Sequence, residues 1–361
     1  MKVEFRNIGM LETADIRFDG LTVIAGENDT GKSTIGRLMF ALIKTFNQDV
    51  KNDDLTVTGH DSKEKEKEVE NLFRAYTASV FGVLGGDIGS KFMKNKRYSI
   101  TGKEDDRPVF EIIPRETNIP GDIEIKLYRP LSFADATFIE SPLVLNQSDA
   151  IRFAKTMLDV EGDIKKKVKL LDRAYVPESL RDFILKVTDR PTGGKPPVFL
   201  ETIRQIIKGN FYYDHVKKDF IFEKEGNTFG GLWTASGIKV LGILGILLEN
   251  GFLNDKSLLV IDEPETHLHP LWKINLADIL VELTKVGTTI LLTSHSPYLV
   301  EALKLYSDKK LLPGKAAFYL SKKNEDQSTS SIIDVTQDIS PIYKLMAEPF
   351  RRMEKFQVED I

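Results

Sequence analysis

The chain has 361 residues, 41% of them hydrophobic and 29% charged, with a formal net charge of −4 and no cysteine. Such a composition supplies a large apolar core and no overall attraction for nucleic acid. The lack of cysteine excludes disulfides, thiolate zinc sites and cysteine nucleophiles, and fits a reducing, cytoplasmic location. No basic, apolar and small-residue series opens the sequence, so no secretory signal is expected. The longest apolar run, Ile238 to Leu248 with Lys239 inside it, is far short of the about 20 residues that span a bilayer. It is apolar on every face, which predicts a helix buried in protein and no membrane partner.

In chain order, Lys2 to Arg6 and Ala14 to Phe18 alternate like paired strands, and Leu21 to Ala25 is a short buried strand that stops at Gly26. Gly31 to Phe46 then carries Ile35, Leu38, Met39 and Leu42 on one helical face. The alternating charges of His60 to Glu70 read as a solvated helix face. Strands are predicted at 97–100, 108–113, 122–128 and 136–139, and helices at 178–186 and 199–208 with the Pro191 to Pro197 loop between them. Further strands fall at 220–223, 257–261 and 288–292, and helices at 236–249, 271–283 and 297–305. A last strand pair, 316–320 and 331–335, precedes a terminal helix. No sustained heptad and no internal repeat is present.

Gly26-Glu27-Asn28-Asp29-Thr30-Gly31-Lys32-Ser33 satisfies G-x-x-x-x-G-K-[ST] between a strand and a helix. The glycines let successive N–H groups turn inward as an anion-binding nest, and the helix adds the positive end of its dipole. Gly26, Asn28, Asp29, Thr30, Gly31, Lys32, Ser33 and Thr34 are the expected nucleotide contacts. Lys32 can reach the β- and γ-phosphates, and the Ser33 hydroxyl can ligate magnesium.

Leu258 to Ile261 is an apolar strand ending in Asp262 and Glu263. Paired carboxylates there need cations or hydrogen bonds. Asp262 is the expected magnesium residue, directly or through water, and Glu263 the base that activates the attacking water. Thr288 to Leu292 is a second apolar strand, expected beside the first in a parallel sheet, and His295 follows it. Ligands bind at the carboxyl ends of such strands, where His295 can hydrogen-bond a γ-phosphate. The bland alternative for His295 is a cap on the helix starting near Pro297. A competing metal site from His267 and His269 among Asp262, Glu263 and Glu265 has the right ligand types but no supporting histidine cluster.

The phosphate loop, the acidic strand end and the histidine segment, in this order and spacing, resemble the ATP-binding-cassette (ABC) ATPases, and most of all the soluble branch that holds the SMC, RecF and overcoming-lysogenization-defect (OLD) proteins. Phe5-Arg6-Asn7-Ile8-Gly9, Asp262-Glu263-Pro264-Glu265 running into Leu268-His269-Pro270, and Thr293-Ser294-His295-Ser296 carry the likeness. The resemblance implies an α/β fold: a P-loop ABC-type ATPase head with a mixed parallel core sheet, an antiparallel β-subdomain and a helical insertion. Residues 1–140 and 226–361 would form the core and 141–225 the insertion. It also implies ATP and Mg2+ as cofactors and a homodimer, or higher oligomer, that sandwiches ATP.

In that arrangement a signature segment of one copy caps the nucleotide of the other. Thr234 to Lys239 occupies its position, with Ser236 and Gly237 as the expected contacts; Ala235 stands where serine is usual and Ile238 where Gln or Glu is common. Gln147 is the candidate for the family's magnesium-sensing glutamine. Related OLD proteins carry a Toprim nuclease domain, and no acid cluster after the His295 helix would build one. The family analogy therefore points to an ATPase that regulates or senses for a separately encoded effector, a nuclease or toxin, in anti-phage defence or a toxin–antitoxin-like system. The alternative is a DNA-binding ATPase of repair or recombination. Its phosphate contacts would be Lys165, Lys166, Lys167 and Lys169, or Lys91, Lys94, Lys96 and Arg97.

Overall fold

The computed structural model describes residues 1–50, 60–82, 88–89, 97–116, 122–140, 145, 177–191, 198–266, 268–348 and 353. Strand β3 (Leu21–Gly26) is buried at every residue. Parallel strands flank it: β13 (Ala316–Lys323) on one side, then β12 (Thr289–Ser294), β11 (Ser257–Asp262) and β7 (Asp135–Ile139) on the other. Beyond β13 the sheet continues through β14 (Ser330–Asp334), β2 (Leu11–Arg17), β1 (Lys2–Ile8), β4 (Ser99–Glu104), β5 (Arg107–Pro114) and β6 (Ile123–Leu127). Pairing within β2-β1-β4-β5-β6 is antiparallel, so one mixed sheet of eleven strands holds a parallel core and an antiparallel wing.

Side-chain alternation divides the apolar residues between two faces. Ile24, Leu258, Val260, Leu291 and Tyr319 pack on one face with helices α1 (Lys32–Val50) and α2 (His60–Phe81). Leu21, Val23, Leu259, Ile261, Ile290, Leu292 and Phe318 face the other way. There they meet α3 (Glu178–Val187), α4 (Val198–Ile207), α5 (Ser236–Glu249), α6 (Pro270–Lys285) and α7 (Pro297–Lys310). A last helix, α8 (Ser340–Met346), adds Ile342 to that core. The charge-alternating segment at 60–70 opens α2, whose later turns bury Val69, Phe73, Tyr76 and Val80 along one side. Helix α5 is buried along most of its length. Among the described residues no helix is long and apolar enough to cross a membrane.

Two strands have no counterpart in the sequence reading. β8 (Asn210–Asp214) and β10 (Asn227–Gly230) flank β9 (Asp219–Lys224) in a separate three-stranded antiparallel sheet. The expected return to the core after residue 225 falls in the turn between β9 and β10.

A buried ionic cluster ties α1 to β7 and α3. The Lys44 ammonium lies 2.5 Å from Asp135 and 2.6 Å from Asp182, and that of Lys186 lies 2.6 Å from Asp135 and 2.9 Å from Asp182. Lys186, 5% exposed, also donates to the Ala136 carbonyl and the Thr137 hydroxyl. Removing one partner of a buried pair leaves the other charge without compensation, at about 3–5 kcal/mol. Asp182→Ala, which strands part of two ammonium groups, is expected to lower unfolding free energy by about 3 kcal/mol in a denaturant titration.

Candidate functional site

The phosphate loop leaves β3 at Gly26, where a Cβ would lie 2.0 Å from the Ser321 carbonyl oxygen of β13. Only glycine allows that approach. Asp29 (φ +59°) and Gly31 (φ +81°) adopt left-handed backbone, and the chain then enters α1 at Lys32. Glu27, Asn28 and Asp29 are exposed while Thr30 and Lys32 are buried. The Lys32 ammonium donates to the Glu27 carbonyl at 2.5 Å, and the Thr30 hydroxyl donates to it at 2.8 Å. From the far end of the sequence, Ser321 and Ser330 both donate their hydroxyls to the Thr30 carbonyl, at 2.9 and 2.8 Å. Thr34 sits in the first turn of α1, half-buried.

The register of the sheet brings the acids to this loop. Ser294 pairs with Ala25, Thr293 with Ile24, and Asp262 with Thr293, so three carboxyl ends lie level. Asp262, 9% exposed, accepts the Ser33 hydroxyl at 3.0 Å and the Thr293 hydroxyl on the same oxygen, Oδ1. Glu263 follows in left-handed backbone (φ +47°), with its N–H donated to the Thr293 carbonyl (3.2 Å) and hydroxyl (3.1 Å). That turn sends the Glu263 carboxylate to the Nε2 of His295, with which it is in contact. Ser296, not His295, caps α7 by accepting the Leu299 N–H.

Glu265, 7% exposed, fixes the histidine loop. Its Oε1 accepts the Ser294 hydroxyl (2.7 Å), the His295 N–H (2.7 Å) and the Ser296 N–H (3.1 Å). The sequence offered Glu265 only to the competing metal site and to the family-like Asp262 to Glu265 run, and gave Thr293, Ser321 and Ser330 no role of their own, since a lone hydroxyl carries no spacing signal.

Ser236 and Gly237 make no hydrogen bond to the Lys32, Asp262 and His295 group. They open α5, whose N-cap residue Ala235 offers no side-chain cap. Gly237 packs where a Cβ would lie 2.7 Å from the Trp272 ring. Gln147 lies outside the described residues, as do His267, Lys91, Lys94, Lys96, Lys165, Lys166, Lys167 and Lys169. His269 accepts the Leu271 N–H at the start of α6, and Arg97 pairs with Glu116. Among the described residues no cluster of three or more metal-ligating side chains occurs.

Burial and the neighbouring carboxylates set the electrostatics of the site. Burial raises the Asp262 pKa; the Thr293 and Ser33 hydrogen bonds offset this in part, and neighbouring Glu263 adds to the rise. Burial lowers the Lys32 pKa, against the nearby carboxylates of Glu263, Asp262, Glu265 and Glu27. Magnesium fits the donor set: octahedral ligands at 2.0–2.1 Å stand about 2.9 Å apart along an edge. Ser33 Oγ and Asp262 Oδ1 are 3.0 Å apart. Two protein oxygens with phosphate and water completing the shell is the usual arrangement for this ion.

The raised Asp262 pKa has a signed consequence. A carboxyl whose folded pKa exceeds its unfolded value of 3.8 contributes stability below that value and loses it as pH rises through the folded value. Asp262→Asn has no such loss. Its unfolding free energy relative to wild type is expected to shift in the variant's favour as pH is raised from about 3.8 to neutrality, read by thermal or denaturant unfolding across that range without nucleotide.

The sequence profile of the family described as "AAA domain, putative AbiEii toxin, Type IV TA system" matches residues 21–301. No curated protein matches the chain. Similar solved structures include an SMC head domain from Thermotoga maritima, 15% identical, covering 92% of this chain and 98% of that one, with a TM-score of 0.46. Another is the Smc head domain with an extended coiled coil bound to the C-terminal domain of ScpA derived from Pyrococcus furiosus (12% identity, 99% and 98% coverage, TM-score 0.49). A third is an SmcHead bound to the C-winged helix domain of ScpA (13% identity, 93% and 97% coverage, TM-score 0.48). The profile match runs from the start of the phosphate-loop strand into the helix after His295, and the chain belongs to that AAA-domain family.

Proposed function

We propose that this chain is a magnesium-dependent ATPase that dimerises on ATP and switches a separately encoded effector, a nuclease or toxin, in cytoplasmic anti-phage defence. The observation that carries the ATPase reading is convergence. Lys32 and Ser33, Asp262 and Glu263, and His295 come from three distant segments and meet through the Ser33–Asp262 and Glu263–His295 contacts. Lys32 and the loop N–H groups bind phosphate, and Ser33 with Asp262 would hold the metal. Magnesium, when bound, neutralises charge on the β- and γ-phosphates. Glu263 accepts a proton from the attacking water, and His295, held by Glu265 through its backbone, donates to the γ-phosphate. The family's description, a putative toxin of a type IV toxin–antitoxin system, supports a toxin–antitoxin setting, and the likeness to the OLD branch supports an effector carried by another chain.

Dimerisation is supported by the surface next to Ser236. The uncapped N-terminus of α5 offers N–H groups suited to an anion, and just before it Leu232 (65%) and Trp233 (88%) are exposed. Exposed large apolar side chains beside an anion-binding helix end suit burial by a second copy whose nucleotide meets that end.

The test is a purified-protein ATPase assay with sizing in Mg-ATP. Wild type is expected to hydrolyse ATP and to elute as a dimer only with nucleotide. Lys32→Ala is expected to lose both properties. Glu263→Gln is expected to remain dimeric with ATP while turnover falls at least about a hundredfold, in line with loss of general-base catalysis. Wild-type turnover in Glu263→Gln would remove that residue from the reaction.

A further inference from the structure

The hairpin between β13 and β14 overhangs the phosphate loop, and nothing in the mechanism above uses its tip. It is fixed at several points. Besides the Ser321 and Ser330 bonds to Thr30, the Asn324 side chain donates to Glu12 of β2 at 2.9 Å and accepts the Ser331 hydroxyl at 2.9 Å. Asp326 closes the turn by accepting the N–H groups of Ser328 and Thr329, each at 3.1 Å. Gln327 holds a left-handed conformation (φ +57°) inside that turn. The hairpin is therefore a rigid wall, positioned relative to the loop by direct bonds.

That wall borders a shallow, open cavity. Lys323 and Gln327 line an open cavity of about 550 Å³ together with Glu27 and Asn28 of the phosphate loop and His295. Lys323 is half-buried, and among the described residues its ammonium has no ion pair or hydrogen bond. Of the nearby acids Glu27 lines the cavity, while Glu263, Asp262, Glu265 and Glu27 all act on Lys32. Lys323 brings an ammonium into this cavity beside Glu27 and Asn28 of the phosphate loop, so a polyphosphate held on that loop has a second cation within the same opening.

We propose that Lys323 is a second polyphosphate-binding residue, contacting the bound nucleotide from the hairpin side while Lys32 contacts it from the helix side. This rests on the ATP-site reading above and adds a residue to it. The ammonium would make a charge-assisted hydrogen bond to phosphate, and as a point charge on a flexible stem it would serve ATP and ADP alike.

The experiment is titration of the full chain with a fluorescent ATP analogue, with competition by ATP, ADP and inorganic tripolyphosphate. It covers wild type, Lys323→Ala, Lys323→Gln and Lys32→Ala, each first checked for wild-type thermal unfolding. Both Lys323 variants are expected to bind ATP and tripolyphosphate about tenfold more weakly, the order of one charge-assisted bond, and with a shallower salt dependence. Wild-type affinity in both, alongside lost binding in Lys32→Ala, overturns the proposal and leaves the ATP site standing. Weaker ATP binding with unchanged tripolyphosphate binding also overturns it, because the contact would then be to ribose or base. If wild type binds neither ligand, the ATP-site reading falls and this proposal with it. Should Lys323→Ala unfold early, Lys323→Gln, which keeps the stem, decides the matter.

Discussion

Parallel pairing of β11, β12, β3 and β13 is the constraint from which the site follows. Each strand alternates between the α1 side and the α5–α7 side, and each is buried on both faces. A slip of one residue would exchange those faces along the whole strand. The apolar core therefore fixes the register, and the register in turn levels Gly26, Asp262, Ser294 and Ser321 at one edge. No polar contact at the site has to choose its partner from afar. Ser33 finds Asp262, and Ser321 finds Thr30, because hydrophobic alternation has already aligned the strands that carry them.

Within that frame, buried hydroxyls and carboxylates form short linked runs in place of isolated contacts. Thr293 donates to Asp262 and accepts the N–H of Glu263, so one hydroxyl sets the positions of two acids. Glu265 gathers three donors from the Ser294–Ser296 turn. Buried polar groups are tolerated when satisfied in this way, and each bond then restricts the next. The histidine loop, the acid strand and the phosphate loop thus behave as one body, with side chains from the C-terminal hairpin included in it.

Much of this was legible because the strongest signals are the longest ones. The glycine loop between strand and helix, the apolar strand into Asp262-Glu263, and the apolar strand before His295 all combine a period with a chemical punctuation mark. The misses have physical reasons. β8 and β10 are short and flanked by charged residues, and the β9–β10 turn uses Glu225-Gly226 (φ +51° and +79°) in place of the Asn-Gly or Asp-Gly pair that marks such hairpins. Ser321 and Ser330 meet Thr30 across some 290 and 300 residues, a proximity no local pattern encodes. Glu265 appears in sequence as one acid of the Asp262 to Glu265 run, with nothing local to mark it as the acceptor for the histidine loop. Only its burial beneath the histidine loop distinguishes it.

The left-handed backbone of Glu263 bears on how this chain can vary. A branched or bulky carboxylate-bearing residue is disfavoured at φ +47°, where glycine or asparagine rests more easily. Random substitution under selection for heat resistance alone would then drift toward those two residues at this position, hardening the scaffold while removing the base that the proposed function assigns to Glu263. On the general-base role proposed for Glu263, a glutamate kept there at that cost marks selection for chemistry over robustness, and chains bearing Gly or Asn at the same place would hold nucleotide without cycling.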